Sequence, residues 1–357
     1  MHKIKFILAV FFLLCCFSSY GQKPHVIFIA PDPVDTKNVF WHEFIYMMNK
    51  SAEDLSINLE VIHSDSSRLM PLEIVKSISE RDVLPTAIVM LAHLRVFPKI
   101  LQITESKKIY TFVVNYQPDM QDLLQIGYPR EKFKYWLGNI TPNDQQGGYL
   151  LADRLFSMAK NSPPYFTIGF TGAYDSFFVK DRIKGLNKAV NNHVPDIELQ
   201  QIFNAEWDYR KTQSMLPKVM HRYPDTTIFW SAGGGMSLGL LPLIEQFPER
   251  EYIIGEMEWS DSVFKHMMKG HIQAAVGGHF MEGAWALILI HDYLNGLDFI
   301  DDIGVDYKSN FTLLTEDSLK QHQKYYLNKQ WREINFQHFS KFYNHEIQRY
   351  HFILPLP

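Results

Sequence analysis

Residues 25–30, His25-Val-Ile-Phe-Ile-Ala30, begin the pattern that decides the fold, because this apolar run is typical of a buried strand. A second run, Leu59-Glu-Val-Ile62, predicts the next strand. Between the two, residues 40–55 have the length and the apolar spacing of a helix. Strands that alternate with helices of about 10–15 residues indicate βαβ units, and therefore a parallel sheet.

The alternation continues along the chain and then begins again. Further strands are predicted at Thr86–Leu91 and Ile109–Val114. After Tyr135–Ile140 and a helix from Pro142, a second series of strands follows, at Phe166–Phe170, Glu198–Phe203, Thr227–Trp230, Tyr252–Ile254 and Ala274–Val276. Two such halves predict an α/β protein with two Rossmann-like lobes, each built on a parallel sheet. Because no low-complexity linker separates the halves, we expect a hinge with several chain crossings.

The N-terminus has the layout of a secretory signal peptide. A short basic stretch, residues 1–5, precedes the apolar segment Phe6–Phe17, and small residues suit cleavage after about Gly21. The apolar segment is too short to span a membrane, which takes about 20 residues. We therefore predict Sec-dependent export to the periplasm. A lipid anchor on Cys15 or Cys16 stays open as an alternative.

Composition narrows the classes of function. The 357 residues are 46% hydrophobic and 21% charged, which excludes wholesale disorder, and the net charge of −4 argues against a nucleic-acid partner. Removal of residues 1–21 takes away Lys3 and Lys5 and no acid, so the net charge becomes −6. It also removes both cysteines, and with them any disulfide, thiol nucleophile or cysteine metal site.

Candidate ligand-binding residues follow the predicted strands. Ligands of open parallel sheets bind at the loops after the strand C-termini. Aromatic rings can stack on the C–H face of a sugar, while Arg, Asn, Glu and His can satisfy its hydroxyls. The candidates in these loops are Asn38, Phe40, Trp41, Asn115, Arg182, Trp207, Glu256, Glu258 and His279.

From about His25 to Asp306 the sequence resembles the type I periplasmic sugar-binding proteins, a family that includes ribose- and galactose-binding proteins and the autoinducer-2 receptor. The matching segments, in chain order, are Asn38–Trp41, Asn143–Gly148, Asp181–Leu186, Ala205–Asp208 and Gly270–Ala275 with His279. The chain departs from the family at Gly233–Gly235, where sugar binders often carry Asn-Asp. It also departs at Asn115-Tyr116, where Asp-Arg is common, and at Met257, where aspartate is common.

The resemblance implies a binding protein without cofactor, metal or catalytic residues, a monomer that closes on a small polyhydroxylated ligand. Phe40, Trp41 and Trp207 would sandwich the ligand, Arg182 would donate hydrogen bonds, and Asn115, His279 and Glu256 or Glu258 would complete the polar set. A membrane permease of an ABC transporter, or a sensor kinase or related receptor, would recognise the closed form.

The resemblance also sets the domain boundaries that we expect. Residues 22–140 with about 278–300 would form the N-terminal lobe, and 141–277 with about 301–314 the C-terminal lobe. In residues 315–357, aromatic and apolar residues recur at near-helical spacing, from Trp331 to Tyr350. We predict a helical, aromatic-rich extension docked on the body, with an exposed partner-binding helix as the alternative.

Two enzyme classes are alternatives. Residues 235–239 match the G-x-S-x-G motif of α/β serine hydrolases, with Ser237 as nucleophile, Asp261 as the acid and His279 or His291 as the base. The competing interpretation makes Ser237 a small residue in the first turn of a helix. Carboxylates such as Glu256 and Glu258 could also form a glycosidase pair, but they equally suit hydroxyl recognition.

Overall fold

The computed structural model describes residues 23–33, 39–93, 95–159, 163–174 and 176–355. The predicted signal peptide, with Cys15 and Cys16, lies outside these ranges. Within them, no helix is long and apolar enough to cross a membrane.

The first lobe is a six-stranded parallel sheet with the strand order β11-β5-β4-β3-β1-β2. Its strands are β1 His25–Ala30, β2 Asn58–His63, β3 Ala87–Met90, β4 Tyr110–Val114, β5 Trp136–Pro142 and β11 Asp306–Ser309. The helices that accompany them are α1 Val39–Asp54, α2 Met70–Ser79, α3 Phe97–Lys107, α4 Met120–Ile126, α10 Glu282–Leu294 and α11 Ile300–Ile303. The central strands β1 and β3 are buried on both faces, which explains their unbroken apolar sequences.

The second lobe repeats this plan with the strand order β12-β10-β9-β8-β6-β7, in which only β12 is antiparallel to its neighbour. Its strands are β6 Tyr165–Thr171, β7 Ile197–Asn204, β8 Thr226–Ser231, β9 Ile253–Glu256, β10 Ala274–Gly277 and β12 Thr312–Thr315. Its helices are α5 Asp144–Ser157, α6 Phe177–Asn192, α7 Tyr209–Arg222, α8 Leu241–Gln246 and α9 Asp261–Met268, and a 3-10 helix, Met236–Leu240, precedes α8. The predicted pair of α/β lobes is confirmed.

Between β1 and β12 the chain crosses between the lobes three times, after β5, after β10 and between β11 and β12. Helix α10 packs against α1 of the first lobe, where the Ser51 hydroxyl donates to the Ala284 carbonyl at 3.1 Å. The expectation that residues 301–314 belong to the second lobe is wrong for β11, which pairs with β5 in the first sheet. Strand β11 is a polar edge strand, Asp-Tyr-Lys-Ser, so it carries no apolar signal of its lobe.

The C-terminal extension follows the surface of the body, but not as one helix. It forms α12 Glu316–Gln321, α13 Gln323–Leu327 and two 3-10 turns, Gln330–Glu333 and Phe336–Phe339, and then continues without regular structure to residue 355. The prediction of a helix over this segment is therefore wrong beyond Leu327. The buried side chains explain why, since Tyr350, Phe352 and Leu354 alternate with exposed residues at the spacing of an extended chain.

Candidate functional site

The candidate site is a cleft between the lobes, at the ends of the strands where the chain crosses. The central part of the cleft, which we call the inner compartment, has a volume of about 160 Å³. It is lined by Phe40, Trp41, Asn115, Pro142, Asp144, Phe178, Arg182, Trp207, Gly233, Gly234, Met257, Glu258 and His279.

A buried ion pair between two helices fixes the main cation of the cleft. Nε of Arg182 on α6 donates to the Asp144 carboxylate at the start of α5, at 2.7 Å, and Nη1 donates to the Ala232 carbonyl. The helices approach closely because of Gly148, where a Cβ would lie 2.2 Å from the Arg182 carbonyl oxygen. Burial raises the pKa of Asp144 to about 6, and Arg182 opposes that rise. The guanidinium keeps further N–H donors for a ligand.

Trp207 forms an aromatic wall whose position depends on glycines. Its ring stacks on Phe178, with centroids 5.5 Å apart and an interplanar angle of 20°. A Cβ on Gly172 would lie 1.8 Å from the indole, and a Cβ on Gly234 would lie 2.7 Å from the Trp207 carbonyl oxygen. Gly172 and Gly234 therefore leave room for this tryptophan.

Glu256, the last residue of β9, and Glu258, which follows it, have different roles. Glu258 lines the cleft and accepts the Gly234 amide at 3.0 Å, and removal of bulk water around its carboxyl raises its pKa to about 7. Glu256 is fully buried and accepts the amides of Ser237 and Met257, and burial raises its pKa to about 8. Of the two alternatives, Glu258 lies in the lining of the cleft and Glu256 does not.

His279 closes one side of the cleft together with Phe40. The two rings stack with centroids 4.5 Å apart, and Phe40 meets Trp41 edge to face at 4.9 Å. Nδ1 of His279 is buried and has no hydrogen-bond partner in the described part of the chain. Burial, with Arg182 nearby, holds the His279 pKa well below its usual value, so the ring is neutral. A neutral imidazole can exchange hydrogen bonds with a hydroxyl.

The structure brings most of the predicted site residues together. Seven of them line the cleft: Phe40, Trp41, Asn115, Arg182, Trp207, Glu258 and His279. Asn38 lies outside the described residues. Asp144 and Phe178 also line the cleft but were not predicted as site residues, although Asp144 stands in the matched segment Asn143–Gly148 and Phe178 lies in the first turn of the helix that carries Arg182.

The geometry does not support the hydrolase alternative. Ser237 is fully buried, and no histidine among the described residues hydrogen-bonds to its hydroxyl. Asp261 pairs instead with Lys329, and His291 with Asp292. The described residues also contain no group of three His, Cys, Asp or Glu side chains placed to hold a metal ion.

Comparisons with known proteins agree with this architecture. No protein-family model and no curated protein matches the sequence. A periplasmic sugar-binding protein from Pseudomonas fluorescens superposes with a TM-score of 0.78 at 23% identity, over 92% of this chain and 97% of that one. This chain has the fold of periplasmic sugar-binding proteins. The fold implied by the sequence resemblance is thus confirmed.

Two further structures of this fold contain sugars. A solute-binding protein of an ABC transporter from Actinobacillus succinogenes, with bound D-allose, has a TM-score of 0.72 at 15% identity, over 84% of this chain and 100% of that one. The binding protein of the arabinose ABC transporter from Shewanella sp. ANA-3, bound to L-arabinofuranose, has a TM-score of 0.70 at 16% identity, over 87% of this chain and 98% of that one.

Proposed function

We propose that this protein is a periplasmic solute-binding protein that closes on a sugar or a sugar-like small molecule. The observation that carries the proposal is the composition of the cleft. The Trp207 ring and the Arg182 guanidinium, which is held by its hydrogen bond to Asp144, line the same compartment. Flat aromatic faces beside charged and neutral hydrogen-bonding groups suit a ring that carries hydroxyls. The sugar-bound structures of the same fold agree with this function.

The mechanism is closure of the two lobes around the ligand. Phe40, Trp41 and Asn115 come from the first lobe, whereas Arg182 and Trp207 come from the second. A ligand that contacts both sets binds the closed form more tightly than the open form, and this difference in affinity shifts the equilibrium toward closure. The three crossings between the lobes are the segments in which the hinge would bend.

The closed form would be recognised by a membrane partner. The sugar-bound structures are components of ABC transporters, which favours a permease as that partner. The altered glycine segment and the long C-terminal extension keep a sensor kinase or related receptor as the second candidate. We further propose that the mature protein is a cofactor-free monomer without enzymatic activity, exported to the periplasm by the signal peptide.

A thermal-shift screen of sugars, followed by calorimetry on the best ligand, tests the function. We expect a ligand at one hundred times its Kd to stabilise the protein by about 2.7 kcal/mol. Arg182→Ala and Trp207→Ala should each weaken binding at least tenfold, whereas Arg210→Ala, which removes an exposed arginine of the same lobe, should not. Unchanged affinity in both site variants would refute the site. Ester hydrolysis that disappears in Ser237→Ala would favour the hydrolase instead.

A further inference from the structure

A second compartment adjoins the inner one. We call it the outer compartment. It also has a volume of about 160 Å³ and is lined by Asn115, Tyr116, Gln117, Thr141, Pro142, Asn143, Asp144, Gln145, Phe177, Phe178, Asp181 and Lys308. Asn115, Pro142, Asp144 and Phe178 line both compartments, so the two share a wall.

The size of the cleft favours a ligand that occupies both compartments. Small-molecule pockets usually have a volume in the range of about 300–1,000 Å³. Taken together, the two compartments reach its lower end. The partition between them is partly formed by the Phe178 ring, which presents one face to Trp207 and meets Tyr116 edge-on, with centroids 5.7 Å apart.

The outer compartment contains a cation that is bonded only to neutral groups. Nζ of Lys308 on β11 donates to the side chains of Gln117 and Thr141, the latter at 2.6 Å. No carboxylate among the described residues forms an ion pair with this ammonium. An ammonium has three N–H donors, so one is left for a ligand. The acidic lining residues form their direct ion pairs elsewhere, Asp144 with Arg182 and Asp181 with Lys184. Lys308 interacts with the charges of Asp144 and Glu282 without a direct ion pair to either.

The remaining lining residues have the chemistry of a sugar subsite. Asn143 and Gln145 supply amides that can donate to and accept from hydroxyls, and Tyr116 and Phe177 supply aromatic faces. This combination of rings and hydrogen-bonding groups repeats that of the inner compartment. The two compartments therefore suit two units of similar chemistry.

We propose that the cleft binds a saccharide of two linked rings, one beside Trp207 and the other beside Lys308. This inference rests on the proposed function, since it assumes that the ligand is a sugar. It assigns Lys308 and Gln117 as residues that determine the length of the ligand. A single ring would leave the third donor of Lys308 without a ligand partner.

Isothermal titration calorimetry with paired sugars tests the inference. The probes are D-glucose and D-galactose, compared with maltose, cellobiose, lactose and melibiose. We expect the best disaccharide to bind at least tenfold more tightly than the better monosaccharide. Lys308→Met should remove this advantage while leaving monosaccharide affinity unchanged. Lys218→Met, which removes an exposed lysine of the second lobe, should leave both affinities unchanged.

The outcomes separate this inference from the proposed function. Monosaccharide binding that no disaccharide exceeds would overturn the two-ring ligand and leave the sugar-binding function intact. If Lys308→Met weakens monosaccharide and disaccharide binding equally, the two-ring ligand is also overturned, because the lysine would then not act on the second ring alone. Failure of all these sugars and of a wider panel would instead count against the proposed function. If Lys308→Met does not fold, Gln117→Ala, which removes one of the two partners of Lys308, should show the same selective loss.

Discussion

Gly234 is packed so closely against Trp207 that it has no room for a side chain. It also has a φ of +68°, a left-handed conformation that favours glycine. Gly234→Ala should therefore lower the unfolding free energy by about 1–2 kcal/mol and weaken sugar binding at least tenfold, because the displaced Trp207 loses its position. Chemical denaturation and calorimetry measure the two effects.

A matched control separates backbone strain from crowding. Gly296 has a φ of +84° and no atom within 4 Å of an added Cβ. Gly296→Ala should lower stability less than Gly234→Ala, because it adds backbone strain without crowding, and it should leave ligand affinity unchanged. Equal affinities in the two variants would show that the contact between Gly234 and Trp207 does not shape the site.

Glu258 should make stability depend on pH. Its ordinary pKa of 4.5 is raised to about 7 in the folded protein by burial. Between these values the unfolded chain has released a proton that the folded protein retains, so stability should fall as pH rises from about 4.5 to 7. Glu258→Gln cannot ionise and keeps an oxygen for the Gly234 amide. Its Tm should therefore fall less steeply than that of the unsubstituted protein over this range.

The control for this pH profile is an exposed glutamate of the same lobe. Glu206 is exposed and pairs with Lys211 at the surface, so Glu206→Gln should retain the slope of the unsubstituted protein. A Glu258→Gln profile parallel to that of the unsubstituted protein would contradict the role given to this carboxyl.

At the residue scale, sequence patterns identified site residues that belong to recognisable motifs. They did not identify residues that reach the site only through the packing of the folded chain. Arg182 and Trp207 were predicted from their segments. Asp144 was missed as a site residue because its role depends on the close approach of α5 and α6. The sequence left Glu256 and Glu258 as alternatives, because it does not show which carboxylate at the end of β9 turns toward the cleft.

At the scale of elements, the C-terminal extension places Trp331 behind three segments that line the cleft. Its ring packs on Trp259 at 6.2 Å and on Phe280 at 5.7 Å, the neighbours of Glu258 and His279. Its Nε1 donates to Glu43, two residues after Trp41, at 2.7 Å. Arg332 also donates to Glu43. Burial opposes the effect of these bonds, but together they lower the pKa of Glu43 and keep it ionised.

Removal of this ring should destabilise the protein strongly. Trp331 is 2% exposed, so Trp331→Ala should lower the unfolding free energy by about 3–5 kcal/mol. Phe342 is an aromatic residue of the same extension that is 38% exposed, and Phe342→Ala should cost about 0.5 kcal/mol. Urea denaturation compares the two variants. Similar losses of unfolding free energy in the two variants would mean that the extension is stabilised by its whole buried surface and not mainly by Trp331.

Strands were more predictable than the extension because their signal is local. An apolar run such as 25–30 must be buried wherever its strand lies in the sheet. The aromatic residues of 331–354 pack instead at separate sites on the body of the protein, and these sites exist only in the folded chain. Asp292 of α10 is one such site, and it accepts hydrogen bonds from Ser340, from the Lys341 amide and from Tyr350. No spacing rule within the extension reveals this partner.

At the scale of the whole molecule, the extension is a fourth link between the lobes. Helix α13 packs on α9 of the second lobe through Tyr326 and Phe264, whereas Phe336 donates its amide to Asp54 of the first lobe. Between them, Lys329 bridges Glu43 and Asp261, which lie in different lobes. Opening of the cleft must therefore strain or release the segment around Trp331.

This link predicts that the extension biases the ligand-free protein toward closure. Trp331→Ala should populate the open form more, so its radius of gyration without ligand should exceed that of the unsubstituted protein. Its sugar affinity should be lower, because the ligand must then supply more of the free energy of closure. Small-angle X-ray scattering, with and without the best sugar, measures the change, and Phe342→Ala should behave like the unsubstituted protein. If Trp331→Ala has an unchanged radius and an unchanged affinity, the extension moves with one lobe and does not restrain the hinge.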